Sequence, residues 1–262
     1  MITINSLNKL KQQGEKIAVL TSYDASFAKI AETAGVEVIL VGDSLGMVVQ
    51  GQDSTVPVSM DHMVYHTACV TRGADKAFVI ADMPFMSHAS EEQALLNAAR
   101  LMQEGGAQMI KLEGAGELDL IKKMTAQSIP VCGHLGLLPQ SIHQLGGYHV
   151  QGKDKQDARK IFLDAEALEE AGAQMLVLEC VPAELAKEVS KNLKIPVIGI
   201  GAGVDVDGQV LVLYDMLGMN SDGLQPRFVK DFLAATGSID GAIRAYVQAV
   251  KENSYPGSEH SY

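Results

Sequence analysis

Short apolar runs that end in a polar or ionisable side chain recur along this chain. Val38-Ile-Leu-Val41 is closed by Gly42, Asp43 and Ser44, and Ala77-Phe-Val-Ile-Ala81 by Asp82. Met109-Ile-Lys-Leu-Glu113 carries Lys111 and Glu113, Val131-Cys-Gly133 ends at His134, and Met175-Leu-Val-Leu178 ends at Glu179. Runs this short, rich in β-branched residues and bounded by glycine, read as buried strands. A first strand is predicted over Ile17–Leu20 and a seventh over Ile195–Gly201. Between the runs, apolar residues fall at helical spacing. One such stretch runs from Ala25 to Ala34 and stops at Gly35; another covers about Asp61 to Arg72. Ser90 and Gln93 have the spacing of a capping box ahead of Ala94, Leu95, Ala98, Leu101 and Met102, with Gly105-Gly106 as the stop. Further helices are predicted from Glu117 to Ala126, Lys155 to Ala171 and Ala183 to Lys191. Near the C-terminus Ile243, Tyr246, Val247 and Val250 share one helical face.

Seven strand–helix units are thus legible and an eighth is inferred. Val210–Tyr214 reads equally as strand or helix, and Phe228 is another candidate for the last strand. This many units without a reversal predict an α/β fold of the (β/α)₈ barrel type, one domain over residues 1–262; an open doubly wound sheet is the alternative. In a barrel all strand C-termini meet at one mouth, so Asp43, Asp82, Glu113, His134 and Glu179 would converge there. The passage Gly136–Lys155 lacks periodicity and reads as an ordered loop beside that mouth. The C-terminal helix face and the tail Tyr255–Tyr262 exceed what closes a barrel and are expected to pack on a neighbouring subunit.

Composition narrows the function. The net charge of −11 argues against a nucleic-acid partner, and no apolar run reaches the roughly 20 residues of a membrane span. Cys69, Cys132 and Cys180 are few, widely spaced and set in apolar context, so they read as reduced core thiols. The opening residues have no signal-peptide apolar region, which makes the cytoplasm the expected location.

The candidate chemistry lies in the strand endings. Several carboxylates in a confined mouth repel one another unless a positive charge lies between them. Oxygen donors without a His or Cys cluster suit a hard divalent cation, Mg²⁺ before Zn²⁺. Lys111 and Glu113, two apart on a strand, point to the same face. Each residue also has a plainer reading. Asp43 or Asp82 can cap a turn, Lys111 and Glu113 can form a structural ion pair, and His134 can satisfy a backbone carbonyl. Gly199-Ile-Gly-Ala-Gly203 lacks the spacing of a phosphate loop and reads as a tight turn in close approach to its neighbours.

Taken together, the strings Val41-Gly-Asp-Ser-Leu-Gly-Met47, Ala81-Asp-Met-Pro-Phe85, Lys111-Leu-Glu-Gly114, Gly133-His-Leu-Gly-Leu137 with Pro139-Gln140, Gly147-Tyr-His-Val-Gln-Gly152 and Leu178-Glu-Cys-Val-Pro182 resemble the ketopantoate hydroxymethyltransferase family. So do Ile195–Gly203 and Tyr255-Pro-Gly-Ser-Glu-His-Ser261; the match runs from about Tyr23 to the C-terminus, loosely over Asn220–Gln225. The resemblance implies a barrel like those acting on pyruvate and phosphoenolpyruvate. It further implies Mg²⁺, one per subunit, on Asp43, Asp82 and Glu113, and a 2-oxo acid contacted by Asp43, Ser44, Asp82 and Lys111. Glu179 would be the general base and His134 would lie near the incoming one-carbon group. The co-substrate would be 5,10-methylenetetrahydrofolate, with no membrane partner, and members are homo-oligomers, often decamers. Two other classes stay open: an aldolase using Lys111 as a Schiff-base lysine, and a non-catalytic oxo-acid sensor.

Overall fold

The structure is a computed structural model and describes residues 1–219 and 226–262; the loosely matching stretch Asn220–Gln225 lies outside the described residues. Eight strands are found among the described residues: β1 (Ile17–Thr21), β2 (Val38–Val41), β3 (Phe78–Asp82), β4 (Met109–Glu113), β5 (Val131–Gly136), β6 (Met175–Glu179), β7 (Val197–Ile200) and β8 (Gly208–Leu211). Each pairs in parallel with the next, and β8 returns to β1 through the register Ile17↔Gly208 to Leu20↔Leu211, so the sheet is a closed (β/α)₈ barrel. The open sheet is excluded by that last pairing. Val19, Leu40, Ile80, Cys132, Val177 and Val210 line its interior.

The eighth strand resolves an ambiguity that periodicity left open. Val210 and Leu211 end β8, while Leu213–Met216 turn into a short helix, so the stretch contains both structures; Phe228 lies in no strand. Hydrophobicity is continuous across the break at Val212, which hides the change of period.

The helices follow the predicted order. Asp24 caps Ala25–Ala34 by accepting from the N–H groups of Ser26 and Phe27 at 2.8 and 3.0 Å. Ser90 caps Glu91–Gln103 by accepting the Gln93 N–H at 3.3 Å. The reciprocal half of the predicted box is replaced, since the Gln93 side-chain amide donates to the Met86 carbonyl oxygen instead.

A helix over Ile4–Gln13 is an addition to the predicted set. Only Leu7 of it is buried, so its apolar stripe is too thin to read. It is held by a Lys11–Asp207 ion pair at 2.7 Å, with the same Asp207 oxygen accepting from Ser190 and from the Val197 N–H. These contacts lie at the N-terminal end of the barrel, away from the mouth.

The C-terminal helix Ile239–Lys251 corrects an expectation. Its apolar face buries Ala242, Ile243, Tyr246, Ala249 and Val250 against this chain's own barrel. The Tyr246 hydroxyl reaches the carbonyl oxygens of Val19 on β1 and Gln209 on β8, each at 2.8 Å. The tail docks intramolecularly too, with the Tyr255 hydroxyl on the Phe228 carbonyl and the Ala183 N–H on the Tyr262 carbonyl. The amphipathic pattern is therefore spent on closing the seam where the first and last strands meet.

Candidate active site

Strand register places the acidic endings side by side. Asp82 pairs with Lys111, Glu113 with His134, and Gly136 with Glu179 across β3–β4, β4–β5 and β5–β6. Gly42 keeps the end of β2 open, because a Cβ there would lie 2.8 Å from Ser44 Oγ and 3.5 Å from Asp82 Oδ2. Gly136, at φ +93°, turns the chain so closely over β6 that a Cβ would collide with the Glu179 carbonyl oxygen. That carbonyl accepts the Leu137 N–H at 2.8 Å, which seats the β5 loop beside the candidate base. The next residue, Cys180, has φ +48°, an uncommon conformation for a residue with a side chain.

All five strand-end groups meet at the mouth. Lys111 Nζ lies 2.7 Å from Asp82 Oδ1, and both side chains are buried. Thus the lysine pairs with Asp82 rather than with Glu113, as the plainer reading supposed. Asp82 Oδ2 accepts the Asp43 N–H at 3.1 Å. Asp43 itself caps no helix; its Oδ2 accepts from the Gln140 side-chain amide at 2.8 Å. His134 is fully enclosed between two carboxylates, with Nδ1 3.4 Å from Glu113 Oε1 and Nε2 3.2 Å from Glu179 Oε2. It therefore faces acids, not a backbone carbonyl.

The electrostatics follow from this packing. Burial, reinforced by Asp82 and Glu113, holds the Asp43 carboxyl well above its ordinary range. Burial opposes the Lys111 ammonium, but Asp82, Glu113 and Asp43 outweigh it and keep the group charged. The His134 imidazole would be pushed down by burial and by Lys111; Glu113 and Glu179 reverse this and bring it up to about 9. Glu113 moves the other way, below its usual value, as His134 and Lys111 overcome its burial.

Asp82 Oδ1 is held by the Lys111 ammonium and Glu113 Oε1 faces His134, ionic contacts rather than well-directed hydrogen bonds. An all-oxygen carboxylate set whose charge is met only by these cations fits a hard divalent cation. Among the described residues, however, no three acidic, histidine or cysteine side chains are drawn together as an assembled metal centre. The donor chemistry fits; Lys111 holds the charge balance in this arrangement.

Three residues at the mouth had escaped sequence reasoning. Tyr23, buried at the end of β1, shares a 2.9 Å hydrogen bond with Ser44 Oγ. Tyr148 donates to Met47 Sδ at 3.4 Å, linking the β5 and β2 loops over the opening. Gln140 sits in a 3₁₀ turn, Pro139–Ser141, inside the passage read as an ordered loop. The remaining plain readings hold: Cys132 and Cys180 are buried unpaired thiols, with burial pushing Cys132 up to about 12. Gly201 and Gly203 pack tightly on Phe228 and Ala183.

Comparison with known proteins decides the family. A family model described as ketopantoate hydroxymethyltransferase matches residues 1–258. A 3-methyl-2-oxobutanoate hydroxymethyltransferase of Nitrosococcus oceani is 60% identical over 262 residues, covering 100% of this chain and 99% of that protein. The chain belongs to the ketopantoate hydroxymethyltransferase family. The enzyme of the same name from Alkalilimnicola ehrlichii is 58% identical, with 100% and 94% coverage. Among solved structures, phosphonopyruvate hydrolase in complex with oxalate and Mg²⁺ aligns with a TM-score of 0.61 at 16% identity, over 96% of this chain and 85% of that one. A 2,3-dimethylmalate lyase of the PEP mutase/isocitrate lyase superfamily aligns at 0.59 and 17%, over 95% and 99%. At such identities these two show the fold of this ketopantoate hydroxymethyltransferase family member alone.

Proposed function

We propose that the chain is a one-domain enzyme that transfers a hydroxymethyl group from 5,10-methylenetetrahydrofolate to 3-methyl-2-oxobutanoate, giving 2-dehydropantoate for pantothenate synthesis. The observation that carries this reading is the separation of charges in the mouth. Asp43, Asp82, Lys111 and Glu113 form one cluster, and Glu179 stands beside it, connected through His134. That arrangement suits a reaction that must hold a 2-oxo acid and, with a different group, remove a proton from carbon. We assign Mg²⁺ to Asp43, Asp82 and Glu113, supported by their oxygen donors and by the Mg²⁺ and oxalate of the hydrolase of like fold. When bound, that cation supplies Lewis-acid stabilisation of negative charge developing on the keto oxygen.

The chain's own residues do the rest. Lys111 offers a buried positive charge to the substrate carboxylate, and Ser44, braced by Tyr23, offers its hydroxyl. Glu179 takes the C3 proton, and the electrons of that bond pass into the enolate. Water opens the methylene bridge of the folate, breaking both C–N bonds with a proton going to each nitrogen, so that tetrahydrofolate leaves. The enolate carbon attacks the formaldehyde-level carbon released, and the new alkoxide takes the proton that Glu179 removed. His134, held between Glu113 and Glu179, orients the base. A Schiff-base role for Lys111 fits poorly, because an imine-forming amine must be neutral and this one is ringed by carboxylates. A sensor needs no base, which leaves Glu179 without a purpose. Cytoplasmic residence and assembly as a homo-oligomer, a decamer by family resemblance, belong to the same proposal; no described helix is long and apolar enough to cross a membrane.

Proton exchange isolates the first step. With Mg²⁺ and 3-methyl-2-oxobutanoate in deuterated water, the protein should exchange the C3 proton without folate. Glu179→Gln should slow that exchange by about 10²–10⁴-fold while still binding the oxo acid. An unchanged rate in Glu179→Gln would move the base elsewhere.

A further inference from the structure

Gln140, in the β5 loop, contacts three other strand ends across the mouth, two through its side chain and one through its backbone N–H. Its side-chain amide donates to Asp43 Oδ2 after β2 at 2.8 Å and to the Met83 carbonyl oxygen after β3 at 2.9 Å. Its backbone N–H donates to Glu113 Oε2 at the end of β4, at 3.1 Å. Both partners of the side-chain nitrogen are acceptors, so the amide can be oriented only one way, and both its hydrogens are spent. The residue is buried. Pro139 begins the turn that carries it, and the Leu137 N–H on the Glu179 carbonyl anchors the loop just ahead of that turn.

We infer that Gln140 is a positioning residue that sets which oxygens of Asp43 and Glu113 are available to the cation, an inference that rests on the metal assignment proposed above. A carboxylate with two free oxygens can rotate; one whose Oδ2 or Oε2 is tied to a fixed donor presents the other. Gln140 ties one oxygen on each of two carboxylates that come from different strands. It does so as a neutral donor, so it orients them without cancelling the charge a cation needs. Partners of this kind hold metal ligands in place, and their loss typically weakens binding by about 10–100-fold although no ligand is removed.

The test uses Mn²⁺ alone as the probe, with free ion counted by electron paramagnetic resonance in the metal-free protein. Q140M keeps side-chain length and removes both side-chain donations while the backbone N–H to Glu113 stays. Its Kd for Mn²⁺ should rise about 10–100-fold, and the metal concentration giving half-maximal activity should rise by a similar factor. Q140L, which likewise removes both side-chain donations and adds no charge, should lose as much, and it carries the test if Q140M does not show the wild-type circular dichroism spectrum. A Kd within twofold of wild type in either folded variant would overturn the role. So would a fall in kcat that saturating metal fails to restore while Kd stays constant. Absence of Mn²⁺ binding by the wild-type protein would instead remove the metal assignment, and the role of Gln140 with it.

Discussion

Burial acts differently on the two aspartates that meet at the ends of β2 and β3. Asp82 neutralises Lys111 at 2.7 Å, so Asp82→Asn leaves a buried ammonium short of its partner and should cost about 3–5 kcal/mol in the metal-free protein. Asp43 is the reverse case, a buried carboxyl repelled by Asp82 and Glu113 and raised in the folded state above its ordinary value of 3.8. A raised folded pKa in an acid means that the native state holds its proton longer than the unfolded chain does. Its ionisation therefore opposes folding, with no penalty below pH 3.8 and the full penalty above the raised value. Metal-free Asp43→Asn should accordingly melt higher than wild type near pH 7, with the gap closing as pH falls towards 4; a gap that stays constant in thermal melts would refute this. Both substitutions should abolish activity if the metal assignment holds. The rim acids were legible because each ends an apolar run, a signal contained within a few residues. Gln140 and Tyr23 were not, because their partners Asp43 and Ser44 lie 97 and 21 positions away and only the folded register brings them near.

At the scale of elements, hydrophobic period predicted seven strands and most helices to within a few residues, since burial in a parallel sheet and on an amphipathic face are local demands. It blurred where those demands changed within one apolar stretch, as at Val210–Met216, and missed Ile4–Gln13, which buries a single leucine. The C-terminal helix shows a different limit: amphipathicity states that a face is covered, not by what. Tyr246 answers that question, its hydroxyl spanning the β1–β8 seam. Tyr246→Phe strips a donor from two buried carbonyls and should cost about 1–3 kcal/mol. Since the seam lies away from the carboxylate cluster, turnover in the folded variant should match wild type. A melting temperature equal to wild type would show that the hydroxyl bears no such part.

For the molecule as a whole, the closing of the barrel depends on chain that comes after the last strand. Removing residues 237–262 deletes the five buried side chains of the C-terminal helix together with the Tyr255 anchor on Phe228 and the Tyr262 contact with Ala183. A fully buried apolar side chain contributes about 1.5–3 kcal/mol, so the larger members of that face, Ile243, Tyr246 and Val250, already approach the net stability of about 5–15 kcal/mol typical of a folded protein. The truncation also uncovers β1 along the line where it pairs with β8. Chain ending at Thr236 should therefore lose its cooperative thermal transition and accumulate as aggregate. The competing outcome is sharply different: if the helix served a neighbouring subunit, the shortened chain would stay folded and light scattering would report smaller, soluble particles. A cooperative melt from such particles would overturn the intramolecular role, and would return the helix to an interface between subunits.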